Sequence, residues 1–79
     1  MNSKAFGHRL RHLRDMRREW TQEQAAKETG AHPAAWSHWE CGVHLPGCEN
    51  LRDIQVGLRL TDREFTWLVT GQGSVRGGE

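Results

Sequence analysis

Seventy-nine residues allow one domain and little more, and with 35% hydrophobic residues its core must be small and well filled. No apolar run approaches the roughly 20 residues of a membrane helix, the N-terminus lacks the apolar stretch of a signal peptide, and Cys41 and Cys48 are too few for a secreted disulfide framework, so a soluble, cytoplasmic chain is expected. The net charge is +1 but unevenly spread: residues 1–30 hold seven Lys/Arg against four Asp/Glu and residues 31–79 four against six, which can give one basic face on a nearly neutral protein.

Strand signals are absent, whereas helical spacing appears five times. The first helix is expected from about Lys4 to Arg18, where Phe6, Leu10 and Leu13 form one apolar stripe among five arginines. The second runs from Gln22 to Thr29. Thr21 and Gln24 make a capping box at its start, and Gly30 stops it. Ala25 and Ala26 are small and face inward, which lets another helix approach closely. The third opens at Pro33, a favoured first position, and runs to about Cys41, with Trp36 and Trp39 burying together. A loop from Gly42 to Gly47 follows. The fourth helix is expected from Cys48 or Glu49 to Arg59, burying Leu51, Ile54 and Leu58. The fifth starts with a second capping box, Thr61 with Glu64. Phe65, Leu68 and Val69 fit a core-facing stripe and leave Trp67 toward the outside; the alternative has Trp67 packed over the junction of the last two helices. The domain is expected to span 1–71, with a flexible Gly-rich tail over 72–79.

Two short helices meeting at the three-residue turn Gly30-Ala31-His32 have the spacing of a helix-turn-helix. The run Trp20-Thr21-Gln22-Glu23-Gln24-Ala25-Ala26, then Gly30, then Trp36-Ser37-His38-Trp39-Glu40-Cys41-Gly42 resembles the central segment of the Cro/repressor-type (XRE-like, lambda repressor-like) family. Leu10, Leu13 and Arg14 upstream, and Pro46, Glu49-Asn50-Leu51 and Leu58 downstream, extend the similarity. Trp67-Leu68-Val69-Thr70-Gly71 looks like the segment that closes lambdoid phage repressor domains. In all, the resemblance covers about residues 5–71.

The resemblance implies an all-α, compact five-helix lambda-repressor-like bundle that binds double-stranded DNA and regulates transcription, most simply as a repressor. The third helix would enter the major groove, with His32, Pro33, Ala34, Ala35 and His38 facing the bases. Arg14, Thr21, Gln22 and Cys41 would lie at phosphates, and Arg14 and Glu40 would pair to fix the first helix against the third. The sequence departs from the family pattern by one extra residue between Arg14 and Thr21, by a few extra before Trp67, and in two ways that bear on DNA. Pro33, Ala34 and Ala35 offer the bases no side-chain hydrogen bond, and Val43-His44-Leu45 stands where the family usually has cations. One short helix reads few base pairs, so a homodimer on an inverted-repeat operator is expected, with Phe65, Trp67 and Leu68 as its contact.

Three rival readings remain. His38, Cys41, His44 and Cys48 are zinc-ligand types in an H-x2-C-x2-H-x3-C spacing. The family resemblance already explains this segment without a metal, so no metal or other cofactor is expected. A catalytic reading of Ser37 beside His38 needs a concave site that so small a bundle hardly supplies, and neither an enzyme nor a small-molecule substrate is expected. The stronger alternative is a helix-turn-helix module that binds a protein instead of DNA; the alanine-rich third helix and low net charge favour it.

Overall fold

The computed structural model describes residues 2–73. Its elements are α1 (Ser3–Arg18), α2 (Gln22–Thr29), α3 (Pro33–Glu40), α4 (Cys48–Gly57) and α5 (Asp62–Thr70), with no strand among the described residues. Of the expected tail, residues 74–79 lie outside the described part of the chain. No described helix is long and apolar enough to cross a membrane.

Local chemistry sets most of the boundaries. Asn2 caps α1, its side chain accepting from the Ala5 N–H at 3.0 Å, so the helix begins one residue before the expected Lys4. Thr21 and Gln24 close the capping box of α2, and Thr61 and Glu64 close that of α5. Cys41 caps α3 instead of extending it. α4 ends at Gly57, two residues before the expected Arg59. There Arg59 itself turns into the left-handed region (φ +54°), and the Leu60 N–H returns to the Gln55 carbonyl at 2.9 Å. Glu19 takes the same left-handed turn after α1 (φ +54°).

The core consists of Phe6, Leu10 and Leu13 from α1, Ala25 and Ala26 from α2, Trp36 and Trp39 from α3, Ile54, Leu58 and Leu60 around the end of α4, and Leu68 from α5. Fully burying each large side chain of this set contributes about 1.5–3 kcal/mol. α1 packs on α3 and α5, and α2 packs on α3 and α4. Gly7 lets α1 close onto the end of α3. A Cβ there would lie 2.5 Å from the Glu40 carbonyl oxygen and 2.6 Å from that of Trp39. Gly57 does the same for α4 against α2, where a Cβ would meet Thr29 Cγ2 at 2.5 Å and the Glu28 carbonyl oxygen at 2.8 Å. Backbone-to-backbone approaches this close require a residue without a side chain.

The α5 stripe is less simple than its apolar residues suggest. Leu68 is fully enclosed and Glu64 is buried, while Phe65, Trp67 and Val69 are each partly exposed. The Trp67 ring meets His12 of α1 edge-on, with centroids 5.6 Å apart, so it packs toward α1. Leu68 has no surface to offer another molecule, and the expectation that it belongs to a dimer contact is corrected on that ground.

Candidate nucleic-acid interface

The turn between α2 and α3 is tightly specified. Gly30 sits at φ +72° and donates to the Lys27 carbonyl (3.3 Å), while the Ala31 N–H donates to the Ala26 carbonyl (2.8 Å). His32 then starts α3, its Nδ1 accepting from the Ala34 N–H at 3.1 Å. This use of His32 as a cap leaves the far edge of its ring outside. Pro33 follows at the first helical position, where its missing N–H costs nothing.

One buried carboxylate organises everything behind this turn. The Glu40 side chain is 3% exposed. Arg14 grips it with two parallel bonds, Nε to Oε2 at 2.6 Å and Nη2 to Oε1 at 2.9 Å. Gln22 Nε2 donates to Oε1 at 3.1 Å, and the Trp36 indole N–H donates to Oε2. Arg14 Nη1 donates to the Trp20 carbonyl at 2.5 Å and lies 3.3 Å from Asp15. The Arg14–Glu40 pair thus ties together α1, the α1–α2 connection, α2 and α3. Such a bidentate, charge-assisted arrangement fixes orientation as well as distance.

The charges respond accordingly. Burial pushes the Glu40 carboxyl up, but the hydrogen bonds from Arg14, Gln22 and Trp36, with the positive charge of Arg14, outweigh it and hold the group below the usual carboxylate range. The hydrogen bond to Glu40 holds the Arg14 guanidinium above its ordinary value, against the opposing effect of burial.

α3 has two unlike faces. Trp36 and Trp39 point inward with ring centroids 5.8 Å apart. His32, Pro33, Ala34 and His38 are exposed, and Ala35 is half-buried against the core. The residues expected at phosphates are placed less uniformly. Thr21 is exposed, with its hydroxyl engaged in the cap of α2. Gln22 is half-buried and donates to Glu40. Cys41 is exposed at the end of α3. The phosphate role expected of Arg14 does not fit its position. The side chain is only 10% exposed, and its donors are directed at Glu40, Trp20 and Asp15. Arg14 acts here as a positioning residue.

No lysine or arginine occurs from residue 28 to residue 51. The basic groups that stand out along this stretch are the exposed His32, His38 and His44. Among the described residues, no three His, Cys, Asp or Glu side chains converge as a metal site would require, so His38, Cys41, His44 and Cys48 do not close into a four-ligand cage. His38 and His44 do meet, edge to face, with centroids 5.5 Å apart. Sequence reasoning left this contact unresolved, because it depends on how the loop returns over the helix.

The family model described as a helix-turn-helix domain matches residues 5–68. No curated protein and no solved structure matches the chain significantly.

Proposed function

The chain belongs to the helix-turn-helix domain family, and from that premise we propose that it is a cytoplasmic, sequence-specific DNA-binding transcriptional regulator. α3 is the reading helix, lying in the major groove with His32, Pro33, Ala34, Ala35 and His38 toward the bases. The observation that carries this reading is the two-faced α3: its inner face is held by Trp36, Trp39 and Glu40, while His32, Pro33, Ala34 and His38 are left exposed.

His32 and His38 supply the hydrogen bonds, and Ala34 and Ala35 supply apolar contact to thymine methyl groups. The exposed Thr21 and Cys41, with the side-chain amide of Gln22, flank the reading helix and take phosphate contacts. The protein binds as a homodimer on an inverted-repeat operator and represses transcription, its own promoter being the first candidate. Two copies set α3 and its symmetry mate about 34 Å apart, one turn of DNA. The half-exposed Phe65 and Trp67 on α5 form the contact between copies.

A gel shift on the DNA upstream of the chain's own gene tests the reading directly. Gln22→Ala should weaken binding about equally across sequences, because a phosphate contact positions without specifying. His38→Ala should instead change base preference, at about 1–3 kcal/mol for a well-formed contact. If His38→Ala leaves both affinity and preference intact, α3 does not read bases through that side chain.

The absence of Lys and Arg from residues 28–51 favours a second reading, a helix-turn-helix module whose partner is a protein. Salt separates the two. Affinity for DNA falls steeply and log-linearly with salt as counterions are released, whereas a protein partner gathered by α3 would show only a shallow dependence.

A further inference from the structure

The end of α3 and the loop beyond it form a rigid return. The Cys41 N–H donates to the Ser37 carbonyl (2.9 Å), the Gly42 N–H to Trp39 (3.3 Å) and the Val43 N–H to His38 (3.0 Å). Gly42 sits at φ +77°, and a Cβ on it would lie 2.9 Å from Lys4 Cα, so the turn is pressed against the start of α1. This geometry carries His44 back over the last turn of the helix, where its ring faces that of His38 at 5.5 Å with planes inclined by 66°. Both side chains are exposed.

Two imidazole nitrogens bound to one ion at about 2.0–2.1 Å in a tetrahedral arrangement hold their ring centroids about 5 Å apart. The centroid separation of His38 and His44 is already close to that value, and both rings are exposed, so side-chain rotation can turn one nitrogen of each toward a shared point. We propose that His38 and His44 form a two-imidazole site for a borderline divalent transition-metal ion of the zinc, nickel or copper class, with water completing the coordination.

The chemistry selects that class. Neutral imidazole suits these ions, whereas magnesium and calcium take oxygen ligands. Residues 28–51 themselves contribute no lysine or arginine to oppose a cation, and Lys4 of α1 packs against the Gly42 turn. Cys41 and Cys48 do not join the pair, so the site is open and exchangeable, not a closed structural centre. The ion is therefore not needed for folding. A corollary rests on the DNA-binding reading: a loaded site withdraws the His38 imidazole from the bases, so metal weakens operator binding. The site itself does not depend on that reading.

His8 and His12 provide a demanding internal comparison, because they stand four apart on α1, are both exposed, and share a helix face. The test is a titration of the full chain with zinc chloride alone, followed through the imidazole resonances, with His38→Gln and His44→Gln to assign the rings. The expected result is that the His38 and His44 rings shift together, saturate at one zinc per chain, and each substitution weakens binding at least tenfold. Magnesium chloride should produce no shift. The proposal is overturned if either substitution leaves zinc affinity unchanged, if the two rings titrate independently, or if the shifts follow His8 and His12 instead. No DNA is present in this titration, so its failure is distinct from a failure of the DNA-binding reading, which the gel shift alone addresses.

Discussion

Removing the Glu40 carboxylate should nearly unfold this domain, although the residue lies in the middle of the proposed DNA-binding unit. The side chain accepts two bonds from Arg14, one from Gln22 and one from Trp36. In Glu40→Ala, the enclosed guanidinium of Arg14 loses its buried counter-charge and keeps only the exposed Asp15 at 3.3 Å, and breaking one side of a buried pair costs about 3–5 kcal/mol. A domain of this length has about 4–12 kcal/mol in total, so the loss takes a large share of it. Glu40→Gln keeps the shape but loses the charge-assisted bonds, and should cost about 1.5–3 kcal/mol. Urea melts followed by the fluorescence of buried Trp36 and Trp39 give the numbers, and a cycle through Arg14→Met isolates the pair. The double variant Arg14→Met with Glu40→Met should be more stable than Glu40→Met alone, because no orphaned charge is left behind.

The pH dependence has a definite sign. The folded carboxyl is held below its unfolded value, so its contribution is fully present above the unfolded pKa of about 4.3. That contribution is lost as pH falls through the folded pKa. Glu40→Gln should therefore show a shallower acid limb than the wild type and the same slope near neutrality. A Glu40→Ala cost under about 1 kcal/mol, or strict additivity in the cycle, would refute the view of Glu40 as the organising group.

Four further outcomes follow from named contacts. Gly7→Ala gains about 1 kcal/mol of helix propensity but loses about 1–3 kcal/mol by forcing α1 off the Trp39 and Glu40 carbonyls, so the melting temperature should fall; an unchanged or higher value would show that α1 moves away freely. Glu19→Gly relieves a left-handed residue at φ +54° and should raise stability by about 0.5–1 kcal/mol in the same urea assay, with no change expected in any binding measurement. Trp39→Ala should cost about 3–5 kcal/mol, and a cooperative melt close to that of the wild type would contradict its burial. Sedimentation of wild type and Trp67→Ala on operator DNA should show two copies and a weakened second copy respectively; a single wild-type copy on saturated DNA would rule out the dimer.

What could be read from the sequence divides along physical lines. Thr21 with Gln24, Thr61 with Glu64, and Gly30 act over three or four residues, so α2 and α5 start, and α2 stops, where local rules put them. The spacing of Trp36 and Trp39 carries their shared burial in the same way. Pairing of Arg14 with Glu40 joins residues far apart in the chain and was legible only through a family resemblance. How deeply Arg14 is enclosed was not legible at all, since that depends on Trp20 and Asp15 closing around it. Gly7 reads from sequence as a mildly unfavourable helix residue, and its necessity appears only when the end of α3 lies across it. Leu68 and Trp67 are neighbours of similar character. Only the placement of α1 decides that one is enclosed and the other is left at the rim against His12.

The division of α3 into a held face and an open face has an engineering consequence. The contacts that seat this helix come from His32, Trp36, Trp39 and Glu40, whereas the side chains of Ala34 and His38 point outward and Ala35 is only partly enclosed. Positions 34 and 38 can therefore be randomised together with little effect on the melting behaviour, and stability and recognition become separately adjustable. A library at those two sites, with Arg and Asn among the substitutions, turns the bundle into a carrier for new target preferences. His32 should be left out of such a library, because changing it removes the cap of α3 along with a proposed base contact.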